Sequence, residues 1–422
     1  MTLRTEFHRR TWLLAIAVLM LACTRRDAAS DGAPDLVLAN VTVIDGLGGA
    51  PRAGQTIEVR AGRITALRAA APDDSSTFDV AGAFVTPGLI DSHVHFDPRN
   101  TAAVRASLDS MLRRGVTTIR EMACCAPDYA KLTDSPDSAR FPRIYTSAFW
   151  AGPQFMRDDP RVAGLSGLGE VPWLLAVTDS NDLAGALRGA RESGATGIKI
   201  YSDLSPDLVR KIATSAHDAG MRAWSHTTVF PMRPSEVAAA DIDVVSHAAL
   251  LVWEGTATLP SHYDGPHPFN PFGPPAPYTS IAPRDPRVLA VLATLKRRGT
   301  ILDPTVAVIR RSIGTAAWAW TIEVTKAAHE IGIPLTVGTD GIPIFDEIEA
   351  LVDSVGLTPL EVLRSATSVG AAAIGIESTL GTIEVGKIAD LVVYRADPTA
   401  DIRALRTPAQ VIRGGRLVGA LR

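Results

Sequence analysis

Cysteine, aromatic residues and an excess of one charge are all scarce in this sequence. Only 3 of the 422 residues are cysteine, which excludes a fold held together by a disulfide framework. Lys and Arg total 42 against 45 for Asp and Glu, a formal net charge of -3, so the basic footprint of a nucleic-acid-binding protein is absent. Hydrophobic residues make up 46% of the chain, a composition that favours a globular enzyme with a large core.

The N-terminal segment differs from the rest of the chain. Arg4, Arg9 and Arg10 precede an apolar run at residues 12–22, which is too short to span a bilayer as a helix. A basic segment followed by such a run predicts a secretory signal peptide at residues 1–22.

The end of this apolar run carries a second signal. Leu21-Ala22-Cys23 resembles a bacterial lipobox, which implies acylation of Cys23 and a tether at residues 23–34. We therefore expect an exported, periplasmic protein that is lipid-anchored to the outer membrane through Cys23 and has no other membrane contact. An ordinary cleaved signal peptide and a secreted protein are the alternative.

The two remaining cysteines, Cys124 and Cys125, are neighbours in the sequence. A disulfide between them would close a strained eight-membered ring. The sequence therefore favours two free thiols, to which we assign no catalytic role.

Both ends of the remaining chain are rich in strand patterns. Residues 35–86 and 377–422 contain short alternating apolar runs such as Val41-Thr42-Val43-Ile44, and Asp45-Gly46 is a turn signal between two such runs. These two segments are expected to close on each other as one small β-sandwich.

Residues 87–376 alternate between short apolar runs and helical patterns. The candidate strands are 89–96, 117–122, 143–149, 197–201, 222–227, 244–248, 300–305 and 334–340, and helices are expected at 181–193, 206–219, 286–298 and 315–331. Eight such βα units predict an α/β fold with a TIM (β/α)8 barrel. A doubly wound sheet is the alternative, but no glycine-rich phosphate turn follows an early strand. The proline-rich stretch 253–287 interrupts this alternation of strands and helices after the sixth strand, and it is expected to act as a lid or binding loop.

Polar residues stand at the ends of several predicted strands. His93 and His95 are two apart on the first strand and so share its inward face. Lys199 lies between two isoleucines on the fourth strand, where a buried amine is costly unless it is paired or modified. The remaining candidates that end barrel strands are His226, His247 and Asp340. Because the carboxyl ends of TIM-barrel strands form the active-site face, these side chains predict a metal site.

The chemistry of these side chains narrows the choice of metal. Imidazole and carboxylate ligands without thiolates suit Zn, Mn, Fe or Ni. An ammonium group cannot bind a metal, but the carbamate that Lys199 would form with carbon dioxide could bridge two ions and allow them to share a hydroxide at neutral pH.

Three motifs resemble the amidohydrolase superfamily. They are Thr86-Pro87-Gly88-Leu89-Ile90-Asp91-Ser92-His93-Val94-His95, Gly197-Ile198-Lys199-Ile200-Tyr201 and Gly338-Thr339-Asp340. The tail at 381–393 is similar to that family's return strand, and the resemblance covers about residues 35–420. It looks closest to the branch of imidazolonepropionases and of metal-dependent dipeptidases of the prolidase and Xaa-Arg type. Lys199 points to the dipeptidases, because imidazolonepropionases generally lack the bridging lysine.

The resemblance also implies a role for each motif residue. His93, His95 and Asp340 would bind the more buried of two divalent metal ions, taken to be Zn, and His226 and His247 the more exposed one. Lys199, carboxylated by carbon dioxide, would bridge them. The bridging hydroxide would attack a substrate carbonyl, with Asp340 as general base and then acid. Tyr201 could donate a hydrogen bond to the oxyanion, although a packed barrel tyrosine is the alternative.

Several other polar residues are expected to have structural roles. His217 and His329 are placed at helix ends, and His262 and His267 in the proline-rich loop, where they could touch substrate. Arg120 and Glu121 end the second strand; an ion pair is favoured, although Arg120 could also receive a substrate carboxylate.

Three functions are compatible with these residues. The favoured one is hydrolysis of the amide C–N bond of a dipeptide or an N-acyl amino acid. The alternatives are opening of a cyclic amide or lactone, or deamination, by the same kind of site, and metal or peptide binding by a surface lipoprotein without turnover. The sequence does not fix the substrate side chain, the native metal or the oligomeric state.

Overall fold

The computed structural model describes most of the chain after residue 32. The described residues are 33–80, 82–97, 99–122, 125–160, 162, 164–261 and 276–419. The predicted signal peptide, Cys23, Cys124, His262 and His267 lie outside them, as does nearly all of the predicted tether. The chain divides into two compact units, Met1–Pro34 and Asp35–Arg422, and every element below belongs to the second. No helix in these ranges is both long and apolar enough to cross a membrane.

The strands of the second unit form two sheets. In chain order they are β1 (Leu36–Val43), β2 (Arg52–Arg60), β3 (Arg63–Ala69), β4 (Phe84–Pro87), β5 (Leu89–Val94), β6 (Val116–Glu121), β7 (Arg143–Ala151), β8 (Glu170–Val171), β9 (Leu174–Ala176), β10 (Ala195–Ile200), β11 (Arg222–His226), β12 (Val244–Ser246), β13 (Ile301–Asp303), β14 (Leu391–Tyr394), β15 (Gln410–Arg413) and β16 (Arg416–Leu417).

The first sheet is built from both ends of this unit. Its seven strands lie in the order β16-β15-β14-β4-β1-β2-β3. Strand β4 is the junction, since it runs parallel to β1 and antiparallel to β14, with Phe84 opposite Tyr394. The sheet has its own apolar core, which includes Leu38, Ile57 and Val393. The expectation that the two ends close on each other is confirmed.

The second sheet forms the barrel. Strands β5, β6, β7, β10, β11, β12 and β13 follow one another in that order, each parallel to its neighbour. Parallel neighbours in chain order require a crossover on the outside of the sheet between them, which is the arrangement of a TIM barrel. The predicted barrel fold is therefore confirmed.

The eighth barrel segment is shorter than predicted. Instead of a strand over 334–340, it forms one parallel bridge between Leu302 and Leu335. It still closes the ring, because Ser92 N–H donates to Val337 O at 2.9 Å. Pro334 has no N–H to donate to a ladder, and the N–H groups of Thr339 and Asp340 both turn to His93 O. The segment therefore bends around His93 instead of continuing as a strand.

Helices cover the outside of the barrel. They are α1 (Thr101–Arg113), α2 (Ala126–Thr133), α3 (Pro153–Asp158), α4 (Leu183–Glu192), α5 (Pro206–Asp218), α6 (Pro234–Ala239), α7 (Pro286–Arg298), α8 (Val306–Ser312), α9 (Thr315–Ile331), α10 (Ile344–Ala350), α11 (Pro359–Arg364) and α12 (Gly370–Ile374), with 3₁₀-helices at Pro136–Arg140, Ala248–Gly255 and Ile402–Arg406 and π-helical turns at Leu351–Val355 and Ser365–Val369.

The predicted helix limits agree with these bounds to within one or two residues. Helix α4 begins at Leu183, two residues later than predicted, because the Asp182 side chain accepts a hydrogen bond from Gly185 N–H and so caps the helix. Ser205 caps α5 in the same way by accepting from Leu208 N–H. The buried apolar faces of the helices join the outward side chains of the barrel strands in one core.

Candidate metal centre

The residues that the sequence singled out lie at the carboxyl edge of the barrel. His93 is inside β5 and His95 follows its end. Asp340 follows the eighth segment and is tied to β5 by the hydrogen bond from its N–H to His93 O at 2.7 Å. This backbone contact brings two residues separated by most of the barrel sequence to one point.

His93, His95 and Asp340 could hold a metal ion together. Their ligand atoms lie within 4.8 Å of one another. His95 Nε2 is 3.0 Å from Asp340 Oδ1 and 3.0 Å from His93 Nε2. Two imidazoles and a carboxylate converging in this way form a ligand set suited to Zn and similar transition metals.

His247 and His226 extend this cluster along the same edge. The ring centroids are 5.0 Å apart between His93 and His247 and 4.8 Å apart between His247 and His226. His226 ends β11 and His247 follows β12, so consecutive strands supply the two rings. With 4.9 Å between the ring centroids of His93 and His95, the four imidazoles form a continuous row.

The backbone at this edge adopts conformations that non-glycine residues rarely take. His247, Thr305 and Asp340 have φ values of 69°, 50° and 52°, in the left-handed region. His247 follows β12, Thr305 follows β13, and Asp340 follows the eighth barrel segment. Such conformations are concentrated at functional sites, where the surrounding structure holds them in place.

Lys199 is buried on β10, and its Nζ has no hydrogen-bond partner among the described residues. Burial, followed by the charge of Arg120, lowers the pKa of the Lys199 amine to about 7. An amine with this pKa is neutral in about half of the molecules at pH 7, and the neutral form can act as a nucleophile. The unpartnered nitrogen is the observation that most favours a chemical modification of this side chain.

Burial also keeps two of the histidines neutral. It lowers the pKa of His93 to about 4 and that of His247 well below its usual value. Burial acts to raise the pKa of Asp340, but the hydrogen bond with His95 and the neighbouring histidines outweigh it and lower the pKa. Neutral imidazoles and an ionised carboxylate are the forms that bind metal ions.

Tyr201 lies next to this row in an aromatic cluster. Its ring centroid is 4.3 Å from that of His226, 4.6 Å from that of Phe149 and 4.7 Å from that of Phe155. The tyrosine is 8% exposed. Tyr201 therefore lies beside His226, a predicted ligand of the more exposed metal ion, and its ring also packs against two phenylalanines.

The sequence reasoning missed Asp303. This fully buried carboxylate ends β13, and its Oδ2 accepts a hydrogen bond from His93 Nδ1 at 2.6 Å. A Cβ atom on Gly338 would stand 2.3 Å from Asp303 Oδ1, so a glycine is needed there for the eighth segment to pass. An acid at the end of the apolar run Ile301-Leu302-Asp303 was the available signal.

Arg120 and Glu121 do not form the ion pair that the sequence favoured. Arg120 is fully buried, donates from Nε to Ser92 O at 2.6 Å and lies 4.7 Å over the Trp224 ring. Neighbouring residues on a strand point to opposite faces, so the side chains of Arg120 and Glu121 lie on opposite sides of β6.

A second expectation, that Cys125 is a free thiol, is wrong, because Cys125 is disulfide-bonded.

His217 and His329 lie in the last turns of α5 and α9, as predicted. His217 Nε2 contacts Asp243 at 2.9 Å, and His329 Nε2 is 3.4 Å from Glu361. Neither residue reaches the row of imidazoles.

Known proteins resemble this chain in sequence and in fold. The model of the amidohydrolase family matches residues 285–418. An imidazolonepropionase from Ralstonia nicotianae is 25% identical over 397 residues, which cover 85% of this chain and 91% of that protein. Among solved structures, a candidate prolidase from Bifidobacterium longum has a TM-score of 0.67 and 25% identity, and the match covers 92% of this chain and 95% of that one. An ochratoxinase from Aspergillus niger has a TM-score of 0.69 at 18% identity, covering 92% and 96%, and shares the fold.

The structure thus combines a parallel barrel, a companion sheet and a row of imidazoles at the carboxyl edge of the barrel. The chain matches the amidohydrolase family over residues 285–418 and is similar to an imidazolonepropionase and to a candidate prolidase over most of its length. It is a hydrolase that acts on carbon–nitrogen bonds.

Proposed function

We propose that this hydrolase uses two divalent metal ions to cleave the amide bond of a dipeptide or an N-acyl amino acid. The buried, unpartnered Nζ of Lys199 beside the imidazole row carries the proposal. The donor chemistry fits two ions: His93, His95 and Asp340 would hold one, and His226 and His247 the other. Lys199, converted to a carbamate by carbon dioxide, would supply the shared anionic ligand. Zn suits these donors.

Metal ions bound there would activate a water molecule and polarise the carbonyl group of the substrate. Asp340 would take a proton from that water; the distances of its Oδ1 from His93 Nε2 (3.8 Å) and from His95 Nε2 (3.0 Å) support this role. The same carboxyl group would then return the proton to the departing nitrogen. A lowered pKa keeps Asp340 ionised at the start of this cycle.

Tyr201 would stabilise the oxyanion that forms on the carbonyl oxygen. Its ring packs against the rings of Phe149, Phe155 and His226, which hold the side chain in a defined orientation. A hydrogen-bond donor that is already oriented lowers the barrier without any cost of reorganisation.

The preference for a dipeptide follows from Lys199 and from the relatives. The structural neighbours include the candidate prolidase and a Xaa-Pro dipeptidase, the latter sharing the fold. Opening of a cyclic amide is the second candidate, because the imidazolonepropionase similarity spans most of the chain. The residue that separates them is Lys199, which a site with a single metal ion does not need.

A substrate screen would test this proposal. The purified protein, supplied with Zn and bicarbonate, should release amino acids from members of a dipeptide and N-acyl amino acid library. Turnover of lactams or lactones, with none in that library, would favour the second candidate. No turnover in any set, under conditions in which two ions bind, would refute the proposed substrate class.

The role of Lys199 can be tested separately. Lys199→Ala should lose bound metal and activity together, and a short carboxylic acid should restore part of both by occupying the place of the carbamate. Lys211→Ala is the matched control, because Lys211 is exposed and pairs only with Asp179 among the described residues. Unchanged metal content in Lys199→Ala would contradict the shared-ligand scheme.

We also propose that the protein is exported and lipid-anchored through Cys23. The support is the basic segment, the apolar run and the lipobox-like Leu21-Ala22-Cys23. Labelled palmitate should enter the full-length protein but not a Cys23→Ser variant. Release of an unlabelled mature protein would instead indicate an ordinary signal peptide.

A further inference from the structure

The end of β13 supplies none of the proposed metal ligands, yet it contacts two of them. Asp303 Oδ2 accepts a hydrogen bond from His93 Nδ1 at 2.6 Å. Two residues later, Thr305 Oγ1 is 2.9 Å from His247 Nδ1. One short piece of chain, Asp303-Pro304-Thr305, therefore reaches one histidine from each proposed metal position.

These contacts leave the other ring nitrogen for the metal. An ionised carboxylate can only accept, so the hydrogen of His93 resides on Nδ1 and the lone pair on Nε2. His93 Nε2 is the atom that faces His95 Nε2 at 3.0 Å and Asp340 Oδ1 at 3.8 Å. The Thr305 hydroxyl can accept from His247 Nδ1 in the same way, which leaves Nε2 of His247 as the ligand atom.

The backbone of the same segment adds a third contact. His247 N–H donates to Asp303 O at 2.9 Å. His247 has a left-handed backbone with a φ of 69°, and this hydrogen bond helps to hold it there. Asp303 thus contacts His93 through its side chain and His247 through its main chain.

The segment is itself held from behind. Glu347 is fully buried in α10, and its two carboxylate oxygens accept from Val306 N–H at 2.8 Å and from Ala307 N–H at 2.7 Å. These N–H groups belong to the first turn of α8, which lacks a side-chain cap from Thr305. The Thr305 hydroxyl is therefore left for His247, while Glu347 fixes the start of the helix.

We infer that Asp303 and Thr305 are positioning residues, Asp303 for the metal ion held by His93 and Thr305 for the metal ion held by His247. This inference rests on the proposed two-metal function. Residues that orient a ligand histidine typically contribute about 10–100-fold to metal affinity when they are lost. The two side chains should therefore affect different steps of metal binding.

Equilibrium dialysis of the full-length protein against Zn, with no substrate present, would test this inference. Asp303→Asn and Asp303→Leu should weaken one binding step, the leucine variant by about 10–100-fold. Thr305→Val, which keeps the branched shape, should weaken the other step, and Thr305→Ser should restore it. Thr321→Val is the matched control, because Thr321 is a buried threonine whose hydroxyl donates to Ala317 O within α9.

The outcomes separate this inference from the proposed function. Fewer than two bound ions in the parent protein would refute the two-metal function itself. Two ions in the parent, and unchanged affinities in the folded Asp303→Leu and Thr305→Val variants, would refute only the positioning roles. Equal weakening of both steps by each variant, together with a lower unfolding temperature, would mean that the segment acts through general stability and would also overturn the inference.

Discussion

Replacing Gly338 with alanine should destabilise the chain and displace the partner of His93. The new Cβ would stand 2.3 Å from Asp303 Oδ1, 2.7 Å from His93 Cβ and 2.8 Å from Asp303 Cγ. Neither neighbour is the free end of a flexible side chain, because the two are joined by a hydrogen bond of 2.6 Å inside the barrel. The clash can therefore be relieved only by moving the carboxylate or the strand.

The cost of that movement follows from two effects. Overfilling a packed interior costs about 1–3 kcal/mol. Breaking a hydrogen bond to a charged group costs about 1.5–3 kcal/mol more. Gly338→Ala should therefore lower the free energy of unfolding by roughly 2.5–6 kcal/mol.

Urea unfolding of the metal-free protein, followed by circular dichroism, would measure this difference without the contribution of bound ligand. Gly49→Ala is the control, because a Cβ at Gly49 has no atom within 4 Å and should change the free energy by no more than about 0.5 kcal/mol. If the two variants were equally stable and both retained metal, the proposed close packing of the eighth segment against Asp303 would be refuted.

Three further predictions concern the site and its support. Tyr201→Phe should lower kcat by about 10²-fold, because the ring can keep its contacts while the hydroxyl is lost; an unchanged kcat would make Tyr201 a packing residue. Glu347→Gln should lower the free energy of unfolding by about 1–3 kcal/mol, since an amide oxygen can accept from only one of the two N–H groups; urea unfolding with no difference would contradict this. The pKa of Lys199 is about 7 instead of its ordinary 10.5, so between these values the unfolded chain binds one proton more than the folded chain. The free energy of unfolding of the metal-free protein should therefore rise with pH over this window, and Lys199→Met should flatten the rise.

The sequence predicted the parts of the fold that depend on local pattern. Short apolar runs located seven barrel strands, and helical patterns located four of the helices around them. The eighth strand was predicted too long because its Pro334 and its turn around His93 act against regular pairing. A pattern of apolar residues does not report where a backbone N–H group is directed.

The candidate site was also predictable only in part: its proposed metal ligands were found in the sequence, and the residues that support them were not. His93, His95, Lys199, His226, His247 and Asp340 are conspicuous because polar residues end apolar runs, and the barrel geometry then brings them to one edge. Asp303 and Thr305 were missed, since their partners are distant in the sequence, although the acid that ends the apolar run Ile301-Leu302-Asp303 was a signal for the first of them. Glu347 was missed for the same reason, because its contact with Val306 depends on how α10 packs against α8.

The position of β4 between β1 and β14 has a consequence for how the protein matures. β4 leads directly into β5, the strand that bears His93, and one of its two neighbours is not synthesised until residues 391–394 have left the ribosome. The first strand with a proposed metal ligand therefore follows a strand whose pairing is completed only when β14 has been made. A chain that ended before residue 391 would lack this neighbour of β4, and with it part of the support for the strand that bears His93.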